Sequence, residues 1–169
     1  MIRAIVYTSH AGHTKEYAGL LADRTGLPAL EAKDAQRCLP EGTEILFLGW
    51  LMAGTLQGYK NASAYFRPAA VCAVGMSSVE AQRGDICQKN GIPDTLPLFC
   101  LEGGFEMDKV SGFYKFMMKC MRSAVGKQLE KKPDRTPEEE RSLDMLMNGR
   151  NCVCAENLGE VLHWYDSTK

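Results

Sequence analysis

The sequence predicts an α/β fold, a three-layer αβα sandwich around a doubly wound, five-stranded parallel sheet in the order 2-1-3-4-5. Apolar runs of strand length alternate with segments of helical period, the pattern of βα units. Three of those runs are apolar throughout, as strands covered on both faces must be. No linker, repeat or low-complexity stretch divides the 169 residues, so a single domain over 1–169 is expected, with extra helical material over about 105–135. Right-handed crossovers and short connections then select the strand order, with a ligand crevice where it reverses, between the first and third strands.

Each element has a local reason. The strands fall at 2–7, 27–32, 45–50, 70–75 and 98–102. The second contains Pro28, which an edge position tolerates because edge strands need not donate every N–H. Between the first two strands, Thr14, Tyr17, Ala18 and Leu21 recur at helical spacing, and Gly26 with Pro28 ends that helix. Ser77 and Glu80 form a capping box for a helix after the fourth strand. Thr136, Pro137 and Glu139 supply a cap, a first-turn proline and a reciprocal acid, and that helix stops at Asn148-Gly149. Leu158, Val161, Leu162 and Tyr165 mark one face of a last helix.

Composition narrows the function classes. The formal net charge is −1 with 45% hydrophobic residues, which gives no electrostatic footprint for nucleic acid. No run approaches the roughly 20 apolar residues of a membrane span. A strand pattern begins at Ile2 with no signal segment before it, so a cytoplasmic location is expected. The seven cysteines are odd in number and scattered. Cys72 and Cys100 sit in apolar runs, and Cys152 with Cys154 lacks a second pair at zinc-site spacing, so structural roles are expected and no metal site.

The chemistry-bearing segment is Thr8-Ser9-His10-Ala11-Gly12-His13-Thr14, where the first strand passes directly into a helix. Such a junction gathers hydroxyls and N–H groups at the positive end of a helix dipole and reads as an anion site. Gly12 lets backbone approach the anion, and Ser9 and Thr14 can donate O–H groups. The loop has no Lys or Arg, so dipoles and hydrogen bonds must do the neutralising, with His10 and His13 able to add charge. Neither a Walker A loop nor a Gly-x-Gly-x-x-Gly turn is present.

The stretch Ile5-Val6-Tyr7-x-Ser9-x-x-Gly12-x-Thr14-x-x-x-Ala18-x-x-Leu21 resembles the flavodoxin signature. The resemblance implies that this loop wraps the phosphate of flavin mononucleotide (FMN) and that two later loops sandwich the flavin ring. Those would be Trp50-Leu51-Met52-Ala53-Gly54, with Trp50 as stacking surface and Ala53-Gly54 at the ring's N5 edge, and Met76-Ser77. Gly103 and Gly104, at the end of the fifth strand, imply a close backbone approach or a sharp turn beside flavin or substrate.

Within that family, Gly49 to Gly54 and the helix beginning Tyr114-Lys115-Phe116-Met117-Met118-Lys119 resemble the menaquinone-dependent protoporphyrinogen dehydrogenase type of flavodoxin domain. The chain departs from that type in having only about 20 residues between its fourth and fifth strands, where that type carries a long insertion. It also lacks the strong acidity with which flavodoxins steer toward positively charged partners. From Lys109 to Lys132 there are seven Lys or Arg and one Glu. With Phe113, Phe116, Met117, Met118 and Met121 interleaved, the basic, Met-rich helix 109–127 either rests on an anionic membrane surface or, the favoured reading, solvates its lysines over an ordinary apolar face. The resemblance implies an FMN-dependent redox protein, by electron transfer or as an oxidoreductase, working with a partner protein or a small-molecule acceptor. The alternative is the same fold without flavin, serving as a binding or regulatory module.

Overall fold

The computed structural model describes residues 1–76, 80–109, 112, 115, 116, 119, 120, 123 and 136–168. The chain divides into two compact units, Met1–Gly103 with Val153–Lys169, and Gly104–Cys152.

The first unit is α/β with a mostly parallel central sheet. Its strands are β1 (Ala4–Tyr7), β2 (Ala29–Glu31), β3 (Glu44–Met52), β4 (Thr55–Leu56), β5 (Arg67–Gly75) and β6 (Leu98–Glu102). They lie in the order β2-β1-β3-β5-β6, with β4 paired to β3 alone. Apart from the antiparallel β4, every pairing is parallel, so the five long-range strands follow the predicted order. The helices of this unit are α1 (His13–Thr25), α2 (Ala32–Cys38), α3 (Tyr59–Tyr65), α4 (Arg83–Asn90) and α6 (Gly159–Ser167).

Alternation of side chains along the strands explains two cores. Ile5, Leu46, Leu48, Ala70 and Cys72 turn to one face and meet Tyr17, Ala18 and Leu21 of α1 and Val161 of α6. Val6, Ile45, Phe47, Val71 and Ala73 turn to the other, against Ala35 of α2, Tyr59 and Ala62 of α3, and Ile86 of α4. Helices therefore cover both faces, in keeping with the predicted αβα layering. Burial of Ile5, Leu46 and Phe47 is complete, and each such side chain contributes about 1.5–3 kcal/mol.

Boundaries differ where chemistry intervenes. The fourth parallel strand, β5, begins at Arg67 rather than at 70, and its register with β3 shifts between Ile45 and Leu46. Pro68 has no N–H for the ladder, and the irregularity accommodates it. The third parallel strand, β3, runs on to Met52 because Leu51 and Met52 pair with β4. A 3-10 turn at Glu80–Gln82 leads into α4, whose N-cap Gln82 makes no side-chain cap bond, and the capping box predicted at Ser77 and Glu80 is only half within view. Ser77 lies outside the described residues.

The second unit holds β7 (Gly104–Phe105), α5 (Pro137–Asn148) and β8 (Arg150–Asn151). The helix starts and stops where the caps predict: the Glu140 N–H donates to Thr136 O at 3.0 Å and the Gly149 N–H to Met145 O at 3.0 Å. Gly149 takes φ 70°, a conformation favouring glycine, and returns the chain to pair antiparallel with β7. Most of the predicted 109–127 helix, including Phe113, Tyr114, Met117, Met118 and Met121, lies outside the described residues. Among the described residues, no helix is long and apolar enough to cross a membrane.

Candidate functional site

β1 ends at Tyr7, whose phenol is pushed up from its usual range by burial, with the carboxylate of Glu31 adding to the effect. The Thr8 N–H still follows the ladder, donating to Leu48 O at 3.0 Å. Its hydroxyl donates to Gln57 O at 2.6 Å. Gly58, at φ 83°, sits so close that a Cβ there would collide with the Thr8 side chain. Thr8 is thus a strut joining the loop to the turn before α3.

Ser9 accepts a bond from the Gly12 N–H at 3.2 Å. Gly12 takes φ 99° as the N-cap of α1, and no side chain caps the helix there. The first intrahelical bond is Glu16 N–H to Gly12 O at 2.9 Å, so the first-turn amides precede the helix's own acceptors. His13 and Thr14 open the buried stripe that continues through Tyr17, Ala18 and Leu21. Thr14 is 1% exposed, which puts its side chain on the sheet-facing side of α1. The Glu16 carboxylate lies 3.9 Å from where a Gly12 Cβ would stand, a negative charge near the loop mouth.

The 50–54 segment is a tight hairpin rather than an open loop. Leu51 pairs with Leu56, Met52 pairs with Thr55, and Ala53 and Gly54 form the two-residue connection at φ 48° and 76°. Positive φ at both positions is what a type I′ turn demands. Trp50 is inside β3, with its carbonyl accepting from the Gln57 N–H at 2.9 Å. Its indole stacks with the His10 imidazole, ring centroids 5.3 Å apart and 25° from parallel. The loop after β1 and the carboxyl end of β3 therefore meet at the point where strand order reverses, the place the sequence predicts for the crevice.

Two residues that sequence reasoning missed hold the hairpin. Asn90 accepts from the Leu56 N–H at 2.7 Å and donates to Gly54 O at 2.9 Å and Ile86 O at 2.8 Å. Lys89 donates to Ala53 O at 2.5 Å. Asn90 stands just before Gly91, which ends α4 at φ 64°. A contact across 36 residues leaves no periodic trace.

Of the remaining predicted residues, Met76 follows β5 and is half-buried. The Gly103 N–H donates to Gly75 O at 2.8 Å. A Cβ on Gly103 would lie 2.7 Å from Val74 Cγ1 and 3.2 Å from His13 Cβ. The close approach at Gly103 is thus one of packing between strand ends and the start of α1. Gly104 belongs to the second unit, where φ 91° and the nearness of the Arg150 carbonyl exclude a side chain.

The donor set suits an anion: α1's opening amides, the Ser9 hydroxyl and a glycine cap, beside the paired rings of His10 and Trp50. This arrangement puts a glycine-capped helix N-terminus and two stacked rings at the switch point of an α/β sheet. Comparison with models of protein families, with curated proteins and with solved structures returned no match.

Proposed function

We propose that the chain is an FMN-binding redox protein built like a flavodoxin, with the phosphate at Ser9 to Thr14 and the flavin ring against Trp50 and the Ala53-Gly54 turn. The observation that carries this reading is the His10–Trp50 stack. It joins a hydroxyl-rich helix mouth to a large aromatic surface, the two chemistries a phosphate-bearing flat cofactor needs.

The residues present fit such a group. Gly12 opens the mouth, Ser9 has a proton to give after accepting from the Gly12 N–H, and the helix dipole favours negative charge. Bound FMN supplies one- or two-electron chemistry, while the chain binds, orients and shields it. Trp50 excludes water from one side, and the 53–54 turn, fixed by Lys89 and Asn90, offers backbone groups at a set position. The electron donor and acceptor are a partner protein or a small molecule such as a quinone.

A second reading is a flavin-free binding module. It is favoured by Thr8, whose hydroxyl is committed to Gln57 O, and by the burial of Thr14. Titration of the chain with FMN and riboflavin, followed by the change in the flavin's own fluorescence, separates the two. FMN binding well ahead of riboflavin supports the flavin reading. Equal binding, or none, overturns it.

A further inference from the structure

The aromatic surface of the candidate site is fixed, and the group that covers it is not. Trp50 sits inside β3, opposite Val74 of β5, and its carbonyl accepts from the Gln57 N–H at 2.9 Å. Beside it, a Cβ on Gly49 would stand 2.7 Å from Gln57 O and 2.9 Å from Leu56 Cδ1. The returning hairpin is thus packed directly on this end of the strand. Trp50 cannot shift without breaking ladder bonds.

His10 stands on a different footing. It lies in the bend between β1 and α1, in neither ladder nor helix, and is half-buried. The backbone around it is held, Thr8 by Leu48 O and Gln57 O, and Ser9 with Gly12 by their mutual bond. The imidazole can therefore turn about its own side-chain bonds while the loop keeps its course. It stacks on the indole with ring centroids 5.3 Å apart and 25° from parallel. Because His10 belongs to the β1–α1 loop, the indole face it occupies is the one turned toward that loop. A ligand reaching from Ser9–Thr14 to Trp50 needs the same face. Imidazole and ligand ring cannot both lie at stacking distance on it.

We infer that His10 is a movable cover over the Trp50 face, which a flat aromatic ring must displace in order to seat. This side chain then sets how tightly the site takes a flavin. The inference rests on the flavin reading for its ligand and adds a competitor that the chain itself supplies. Displacing the cover costs every flavin the same, with phosphate or without. A cover and a phosphate ligand therefore leave opposite signatures: loss of a cover helps FMN and riboflavin alike, and loss of a phosphate ligand harms FMN alone.

The test titrates the full chain and its His10→Ala and His10→Phe variants with FMN and with riboflavin, followed by flavin fluorescence. His10→Ala uncovers the indole and should bind both flavins about threefold or more tightly, with the ratio between them unchanged. His10→Phe sets a more apolar ring on the same indole and should bind both more weakly than the parent. In the free parent, nuclear Overhauser contacts join the His10 and Trp50 rings, and saturation with FMN removes them. Unchanged or lowered affinity in His10→Ala, or unchanged affinity in His10→Phe, overturns the cover. A loss confined to FMN makes His10 a phosphate ligand instead. Ring contacts that survive in the FMN-saturated chain overturn the cover as well. If the parent binds FMN and riboflavin alike and both gain in His10→Ala, the phosphate assignment falls and the cover is supported. No flavin binding to any of these proteins overturns both.

Discussion

Ala53 holds φ 48°, a conformation that costs an alanine about 1 kcal/mol and that asparagine tolerates better. It persists because Lys89 and Asn90 grip the carbonyls on either side of Gly54 Cα. Ala53→Asn is expected to raise stability by about 0.5–1 kcal/mol, read as a higher urea midpoint with unchanged slope. Ser9 carries the opposite balance, with little weight in folding and most in binding. Ser9→Ala removes the acceptor of the Gly12 N–H and, on the proposed reading, a donor to phosphate. FMN affinity should fall about tenfold, the usual scale for a hydrogen bond to a charged group, with the melting temperature of the free protein nearly constant. Glycine and hydroxyl positions of this loop were legible in the sequence because they are local. The commitment of Thr8 to Gln57 O was not, because its partner stands 49 residues away.

Among elements, the β3–β4 hairpin depends on α4 more than on its own turn. Asn90 closes three bonds, two of them to the hairpin. Asn90→Ala should cost about 2 kcal/mol and speed amide exchange at Leu56, while α1 and its loop stay protected. If Trp50 forms part of the flavin surface, its fluorescence and FMN binding change together in this variant. Helices α1 and α5 were legible to within a residue, since caps and apolar stripes lie inside each segment. The two-residue strands β4, β7 and β8 were not, because two residues show no period. The end of β3 moved for the same reason: Leu51 and Met52 become strand only once Thr55 and Leu56 fold back on them.

At the scale of the molecule, two thiols sit on neighbouring strands, Cys72 buried on β5 and Cys100 half-buried on the edge strand β6. Burial, with Glu80 adding to it, pushes the Cys100 thiol up to about 11, and burial raises Cys72 further. A raised value means the native state keeps its proton after the unfolded chain has lost it. The resulting stability is complete below about pH 9 and falls as pH climbs toward 11. Cys100→Ser should flatten that fall in urea titrations at pH 8 to 10.5. At pH 8 an alkylating reagent should take the exposed Cys38 and Cys120 first and reach Cys72 only on unfolding. All seven cysteines are free thiols in the structure.

Alternating apolar runs, helix caps and right-handed crossovers determined the α/β class, the five parallel strands and their order without reference to any distant contact. Those features follow from local sterics and from the need to bury both faces of a sheet, and both are written residue by residue. Tertiary structure alone decided that His10 lies on Trp50 and that the 50–54 segment is a hairpin tied to α4. Each of these joins groups distant in sequence, and burial and hydrogen bonding can select such pairs only after the chain has closed around them.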